Sequence, residues 1–116
     1  MSEEFISVGL LNFIDFNYKT ALENFNKVLQ KDENNLDAIL YRGICNLKLG
    51  NYDQAISDLN KAESQSSSSF EISYNRGISY LYNCEINYAK QDLEQAKKLA
   101  NDDQLLIVTK VLEKLN

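Results

Sequence analysis

Histidine and proline are both absent from the 116 residues. Without an imidazole, Ser-His-Asp and Cys-His catalysis are excluded, as is nearly every zinc site. The four glycines are scattered, so no glycine-rich loop can cradle a phosphate. Absent proline and scarce glycine argue against a β-rich or linker-like chain and for helices. Cys45 and Cys84, the only cysteines, fit no metal or redox spacing and are too few for a disulfide framework, so free thiols are expected. No apolar run approaches the ~20 residues of a membrane span. Met1-Ser2-Glu3-Glu4 puts acids where a signal peptide needs cations, and a cytoplasmic location is expected. The net charge of −5 comes with no basic patch, which speaks against nucleic acid as a partner. Carboxylates are spread over the whole chain and no pair stands out, so neither catalytic residues, a metal nor a cofactor is expected.

What is present is a pattern that repeats. Gly9, Gly43 and Gly77 lie 34 residues apart, as do Ala21, Ala55 and Ala89, then Phe25, Leu59 and Leu93, then Val28, Ala62 and Ala96. Four positions recurring in phase imply a stack of similar units, each too small to bury its apolar face alone. Within each unit the apolar steps of three, four and seven residues are helical, with a break near the middle. The breaks fall at Asp15-Phe16-Asn17, Gly50-Asn51 and Asn83-Cys84-Glu85. The pattern predicts helices near 3–15, 18–31, 36–49, 52–64, 70–83 and 86–99, and a seventh at about 103–115. Asn51 with Gln54, and Ser68 with Glu71, read as capping boxes; Asn17 and Asn34 are N-cap candidates, and Gly50 is a C-terminal stop.

This arrangement resembles the tetratricopeptide repeat family over nearly the whole chain. Its slots are filled by Phe5/Gly9/Ala21/Phe25/Val28, Ile39/Gly43/Ala55/Leu59/Ala62 and Ser73/Gly77/Ala89/Leu93/Ala96, and Leu49–Ile56 is close to a family consensus. The resemblance implies an all-α, right-handed α-solenoid: three helix-turn-helix units at about 2–35, 36–69 and 70–103, plus a capping helix at about 103–115. Small residues would recur where helix backbones approach closely. The proline that usually closes a unit is replaced by Glu33, Ser67 and Asn101. Ser73 is small where a large residue is usual, so looser packing is expected in the third unit. The serine-rich stretch from Ser64 to Ser69 keeps the repeat phase and reads as a turn between units, with a phosphorylated linker as the alternative.

Arg42 and Asp58 are 16 residues apart, and so are Arg76 and Asp92, while the first unit has Val8 and Asn24 instead. The midpoints of the two pairs are Gly50 and Cys84, the predicted turns. Each Arg is therefore expected to grip its Asp across a helix hairpin, in a bidentate, structural contact.

In such arrays the first helices of the units line a concave groove where ligands usually lie. Carried over by repeat phase, the expected partner-binding residues are Ile6, Leu10, Phe13, Leu40, Tyr41, Ile44, Tyr74, Asn75, Ile78 and Tyr82, with Lys48 also facing the groove. An apolar, aromatic floor suits a peptide or amphipathic helix. The alternative for these residues is contact between neighbouring helices. Glu3, Asp37 and Glu71 recur in phase as an acidic rim favouring neutral-to-basic partners, although first-turn acids also stabilise helices against their dipole. Family members that hold chaperone tails do so with Lys, Asn and Arg. The corresponding positions here are Ile6, Leu10, Tyr41, Glu71 and Asn75, of which Asn75 alone carries suitable donors, so chaperone C-terminal tails are not expected. Asn12 and Asn46 share a phase and read as hydrogen-bonding inside the solenoid, or else as a ladder for a peptide backbone. The last helix has a stripe of Leu105, Val108, Leu112 and Leu115, broadened by Ile107 and Val111 as spare cap width or the edge of a dimer contact. The expected function is non-catalytic binding of a partner protein by a monomer or weak dimer. The alternative is a structural module docking to itself or to other domains.

Overall fold

The computed structural model describes residues 2–115, and the backbone alone for residues 2 and 3. The described residues form seven helices and no strand: α1 Ser2–Ile14, α2 Tyr18–Lys31, α3 Leu36–Lys48, α4 Tyr52–Gln65, α5 Phe70–Tyr82, α6 Ile86–Leu99 and α7 Asp102–Leu115. Every boundary lies within one residue of the periodicity-based expectation. The helices pack as antiparallel pairs, α1 with α2, α3 with α4 and α5 with α6, stacked into a body 46 × 25 × 24 Å in extent.

Three clusters make up the core, each joining the second helix of one pair to the next helix in the stack. Ala21, Phe25 and Val28 of α2 meet Ala38 and Cys45 of α3. Leu59 and Ala62 of α4 meet Ile39 and Ile72. Leu93 and Ala96 of α6 meet Val108 and Leu112 of α7. Burying each large aliphatic side chain contributes about 1.5–3 kcal/mol. Glycines occupy the closest approach within pairs. A Cβ on Gly77 would sit 2.9 Å from Leu93 Cγ and 3.2 Å from Asp92 Cβ, and one on Gly43 3.1 Å from Asp58 Cβ. A Cβ at Gly77 would force Leu93 to shift, and one at Gly43 would require its neighbours to give by a few tenths of an ångström.

The three hairpin turns share one construction. The amides of Phe16, Gly50 and Cys84 donate to carbonyls three residues back, and those of Asn17, Asn51 and Glu85 to carbonyls five back. This is a Schellman closure, whose central residue must take a left-handed backbone. Gly50 does so freely at φ 84°, whereas Phe16 at 62° and Cys84 at 63° carry a side chain there.

The capping expectations need correction. The side-chain caps are Asn35, accepting from the Ala38 amide, and Ser69, accepting from the Ile72 amide, each one residue beyond the expected Asn34 and Ser68. Asn17 and Asn51 hold the N-cap position without a side-chain cap bond. Their φ/ψ near −90°/70°, imposed by the preceding turn, departs from the extended backbone that aims a capping oxygen inward. A reciprocal box does form at α7, where Gln104 N–H donates to Asn101 Oδ1 and Asn101 N–H to Gln104 Oε1. Ser66 Oγ donates back to the Ala62 carbonyl and Ser68 Oγ to Glu63 Oε2, so the serine-rich stretch closes α4 and starts α5.

Ser73 is fully buried, and its hydroxyl has no hydrogen-bond partner among the described residues. The looser packing expected of the third unit gains no support from this: Ser73 is fully enclosed, and its slot carries an unsatisfied polar group. In α7, Val108 and Leu112 are buried but Leu105 and Ile107 face solvent, so the expected stripe is narrower than the sequence suggested. Cys45 is buried, which pushes its thiol up to about 12, and Cys84 is exposed; both are free.

Candidate functional site

Two polar clips define how the helices are held. Arg42 Nε and Nη2 donate to Asp58 at 3.0 and 2.7 Å, and Arg76 makes the same pair of bonds to Asp92 at 2.8 and 2.7 Å. The bidentate contacts expected from the 16-residue spacing are present. Each Arg also reaches back to the preceding pair: Arg42 Nη1 donates to Asn26 Oδ1, and Arg76 Nη1 to Asn60 Oδ1. The clips therefore join pairs to one another as well as closing each hairpin. Asn26 and Asn60 are themselves 34 residues apart, a signal present in the sequence and unread. Arg76 further grips Glu63 at 3.0 and 3.2 Å. Hydrogen bonding to Asp92 raises the Arg76 pKa, and the Arg76 guanidinium holds the Glu63 carboxyl below its ordinary range. Asn46 is buried and donates to Asp58 Oδ2 at 3.3 Å, while Asn12 donates to the carbonyl of Val8 in its own helix. Both side-chain amides are thus engaged within the chain.

The expected groove residues separate into two groups. Ile6, Leu10, Phe13 and Tyr41 are half-buried against the first core cluster, Leu40 packs on the second, and Ile44 is buried. Tyr41 explains this. Its ring stacks on Phe25 of α2 at 6.2 Å and meets the edge of Phe13 of α1 at 5.2 Å, which fills the space between α1 and α3. One repeat later, the positions of Phe13, Phe25 and Tyr41 hold Leu47, Leu59 and Asn75. Asn75 is too short to fill the equivalent gap, and its amide turns back to the Glu71 carbonyl at 2.7 Å.

A groove of about 680 Å³ lies beside Asn75. Five of the residues expected to face the groove line it: Lys48, Tyr74, Asn75, Ile78 and Tyr82. Leu47 and Leu81 extend it, Tyr52 of α4 stacks on Tyr82 at 5.5 Å, and Val111, Lys114 and Leu115 of α7 complete the wall. Burial, with the nearby Tyr82, raises the Tyr74 hydroxyl above its ordinary pKa. The contributions from α4 and α7 were missed because neither helix follows the phase of the pairs' first helices.

The acidic rim also needs correction. Asp37 and Glu71 are exposed in the first turns of α3 and α5 and are not among the side chains lining this groove, although Glu71 lies one turn before Asn75 on α5; Glu3 lies outside the residues whose side chains are described. The charged side chains lining the groove are Lys48 and Lys114.

Paired helices stacked around the three core clusters define an α-helical repeat solenoid. A family model for the tetratricopeptide repeat matches residues 13–71, just over half of the chain, and the chain belongs to that family. A comparison with curated proteins returns no match. Among solved structures it is similar to the Yersinia enterocolitica type III secretion chaperone SycD in complex with a peptide of the translocator YopD. Identity there is 19% and the TM-score 0.86, over 97% of this chain and 90% of that one. The second TPR of Spaghetti (RPAP3) bound to the HSP90 peptide SRMEEVD aligns at 24% identity and TM-score 0.77, over 85% and 92% of the two chains. The Arabidopsis OM64 TPR domain aligns at 20% identity and TM-score 0.84, over 97% and 94%. The expectation against chaperone tails gains no support from these neighbours, although what they bind is a property of those proteins. Domains of this fold hold HSP90 and HSP70 peptides, and the groove cations here come from Lys48 and Lys114, outside the five positions on which that exclusion was based.

Proposed function

We propose that this chain is a non-catalytic protein-interaction module that holds a short peptide or helix of a partner in the groove between α3, α5 and α7. The observation that carries the reading is the open space beside Asn75, with an apolar floor of Leu47, Ile78, Val111 and Leu115, a tyrosine wall, and lysines at Lys48 and Lys114. Concave, largely apolar sites with a few placed polar groups are where ligands bind, and Tyr is among the residues enriched in interface cores. Two lysines without a lining acid select apolar side chains flanked by carboxylates, a neutral-to-acidic segment rather than a neutral-to-basic one. Peptide-bound relatives of the same fold support the class of ligand.

Selection from a random displayed-peptide library, counter-selected on Asn75→Tyr, tests this. The expected peptides carry Leu, Met or Phe beside Asp or Glu, bind the wild type, weaken with added salt and fail on the variant. Enrichment of Lys and Arg, or equal binding to Asn75→Tyr, would contradict the reading.

A further inference from the structure

The two ends of the stack each leave a helix face uncovered. At 3.6 residues per turn, Glu4, Val8, Leu11 and Ile14 share one side of α1, and Asp15 follows directly in the turn. All five are exposed, Leu11 and Ile14 at 63% and 67%. Repeat phase shows what this side is. Glu4 and Leu11 correspond to Ala38 and Cys45 of α3, and to Ile72 and Ser79 of α5, all buried, with Ala38, Cys45 and Ile72 packed in clusters shared with the second helix of the preceding pair. On α1 the stacking surface is bare. At the other end, α7 buries Val108 and Leu112 on α6 and turns Leu106 and Ile107 outward, 61% and 51% exposed. Those two share a side with Asp103, Lys110, Glu113 and Lys114, all exposed.

We propose that these two faces bind each other between copies, α7 of one chain covering α1 of the next and continuing the stack across the junction. Charge excludes the pairing of two α1 faces, and monomeric Leu11→Glu, which keeps its α7 face, would exclude the pairing of two α7 faces. Two α1 faces would bring Glu4 and Asp15 of each copy together with no cation on either side. The α7 face brings Lys110 and Lys114 to those acids alongside Asp103 and Glu113, and offers Leu106 and Ile107 to Val8, Leu11 and Ile14. Apolar patches with polar rims mark such contact sites. The interface is heterologous, so each copy keeps one free face of each kind and the assembly does not stop at two.

Sedimentation velocity from micromolar to millimolar concentration should show the mean mass of the wild type rising past that of two chains. Leu11→Glu and Leu106→Glu each leave one usable face and should stay monomeric when alone. An equimolar mixture should reach the mass of two chains and go no further, because only the intact α7 of one variant can meet the intact α1 of the other. Wild type held at the mass of one chain would overturn the proposal. So would Leu106→Glu associating like the wild type, or a mixture no heavier than its components. Both sites are solvent-facing; if circular dichroism shows that either variant has lost helix, Leu11→Ser and Leu106→Ser carry the same comparison. None of these substitutions touches a residue lining the groove, but Lys114 belongs to both the groove and the proposed contact, so the sedimentation series is run without peptide.

Discussion

The first and third helix pairs solve the same packing problem with different chemistry. In the first, Phe25 fills the hairpin against Gly9 and, with Phe13 and Tyr41, seals the gap to α3; Val8 and Asn24 stand where an Arg and an Asp stand later. In the third, Leu93 is smaller, and Arg76 closes the hairpin on Asp92 while gripping Asn60 and Glu63 of α4. Aromatic bulk fills the first joint on the side of Phe13 and Tyr41. A leucine core with a polar clip on the opposite side leaves a groove at the second. The repeat dictates where helices lie, and one residue per repeat, Tyr41 or Asn75, separates a filled joint from an open groove.

Breaking the clip should have the largest effect. Arg76→Val strands Asp92 and is expected to cost about 3–5 kcal/mol in urea unfolding. Arg76→Val/Asp92→Asn, which installs the first pair's residue types, should recover at least half of that. A single-variant cost below about 1 kcal/mol, or a double variant as unstable as the single, would mean the clip is ornamental. At the other joint, Tyr41→Ala should cost about 2–3 kcal/mol, less than full truncation of a buried aromatic because Tyr41 is half-buried. A negligible change in melting temperature would show that the Phe13–Tyr41–Phe25 contacts do not hold α1 to α3. Ser73→Ala removes the unpartnered hydroxyl from the third pair and should stabilise by about 1 kcal/mol in the same assay; a loss of stability would imply that the hydroxyl is bonded in solution.

Acid sharpens the contrast least, but in a defined direction. Glu63 has a lowered pKa in the folded chain, so the stability it supplies is present above the ordinary carboxylate range and is lost as pH falls through and below it. Leu29 stands at the equivalent position of the first joint. Glu63→Gln should therefore flatten part of the acid limb of a stability-against-pH profile. Since Glu63 is partly exposed, the change should be small, and an unaltered profile would remove this contact from the account.

Periodicity and the in-phase small residues made the helices and their stacking legible in the sequence, and equal distance from a turn made the Arg–Asp clips legible. The caps slipped by one residue because Asn34-Asn35 and Ser68-Ser69 offer two chemically equivalent caps side by side, and pattern cannot choose between them. The groove was half legible. Phase located Lys48, Tyr74, Asn75, Ile78 and Tyr82 but treated Ile6, Leu10, Phe13 and Tyr41 as equivalent, because it records where a side chain points and not whether its neighbours fill the space. Val111, Lys114 and Leu115 could not be placed from the repeat at all, since α7 packs by its own stripe.

The central claim is that a partner engages the third pair's side of the concave face and not the first's. An amide chemical-shift map of the labelled chain, titrated with a library-selected peptide, tests it most directly. The account predicts shifts concentrated at residues 47–52, 74–82 and 111–115, with 6–13 unmoved. Shifts centred on Ile6, Leu10 and Phe13 instead would contradict it.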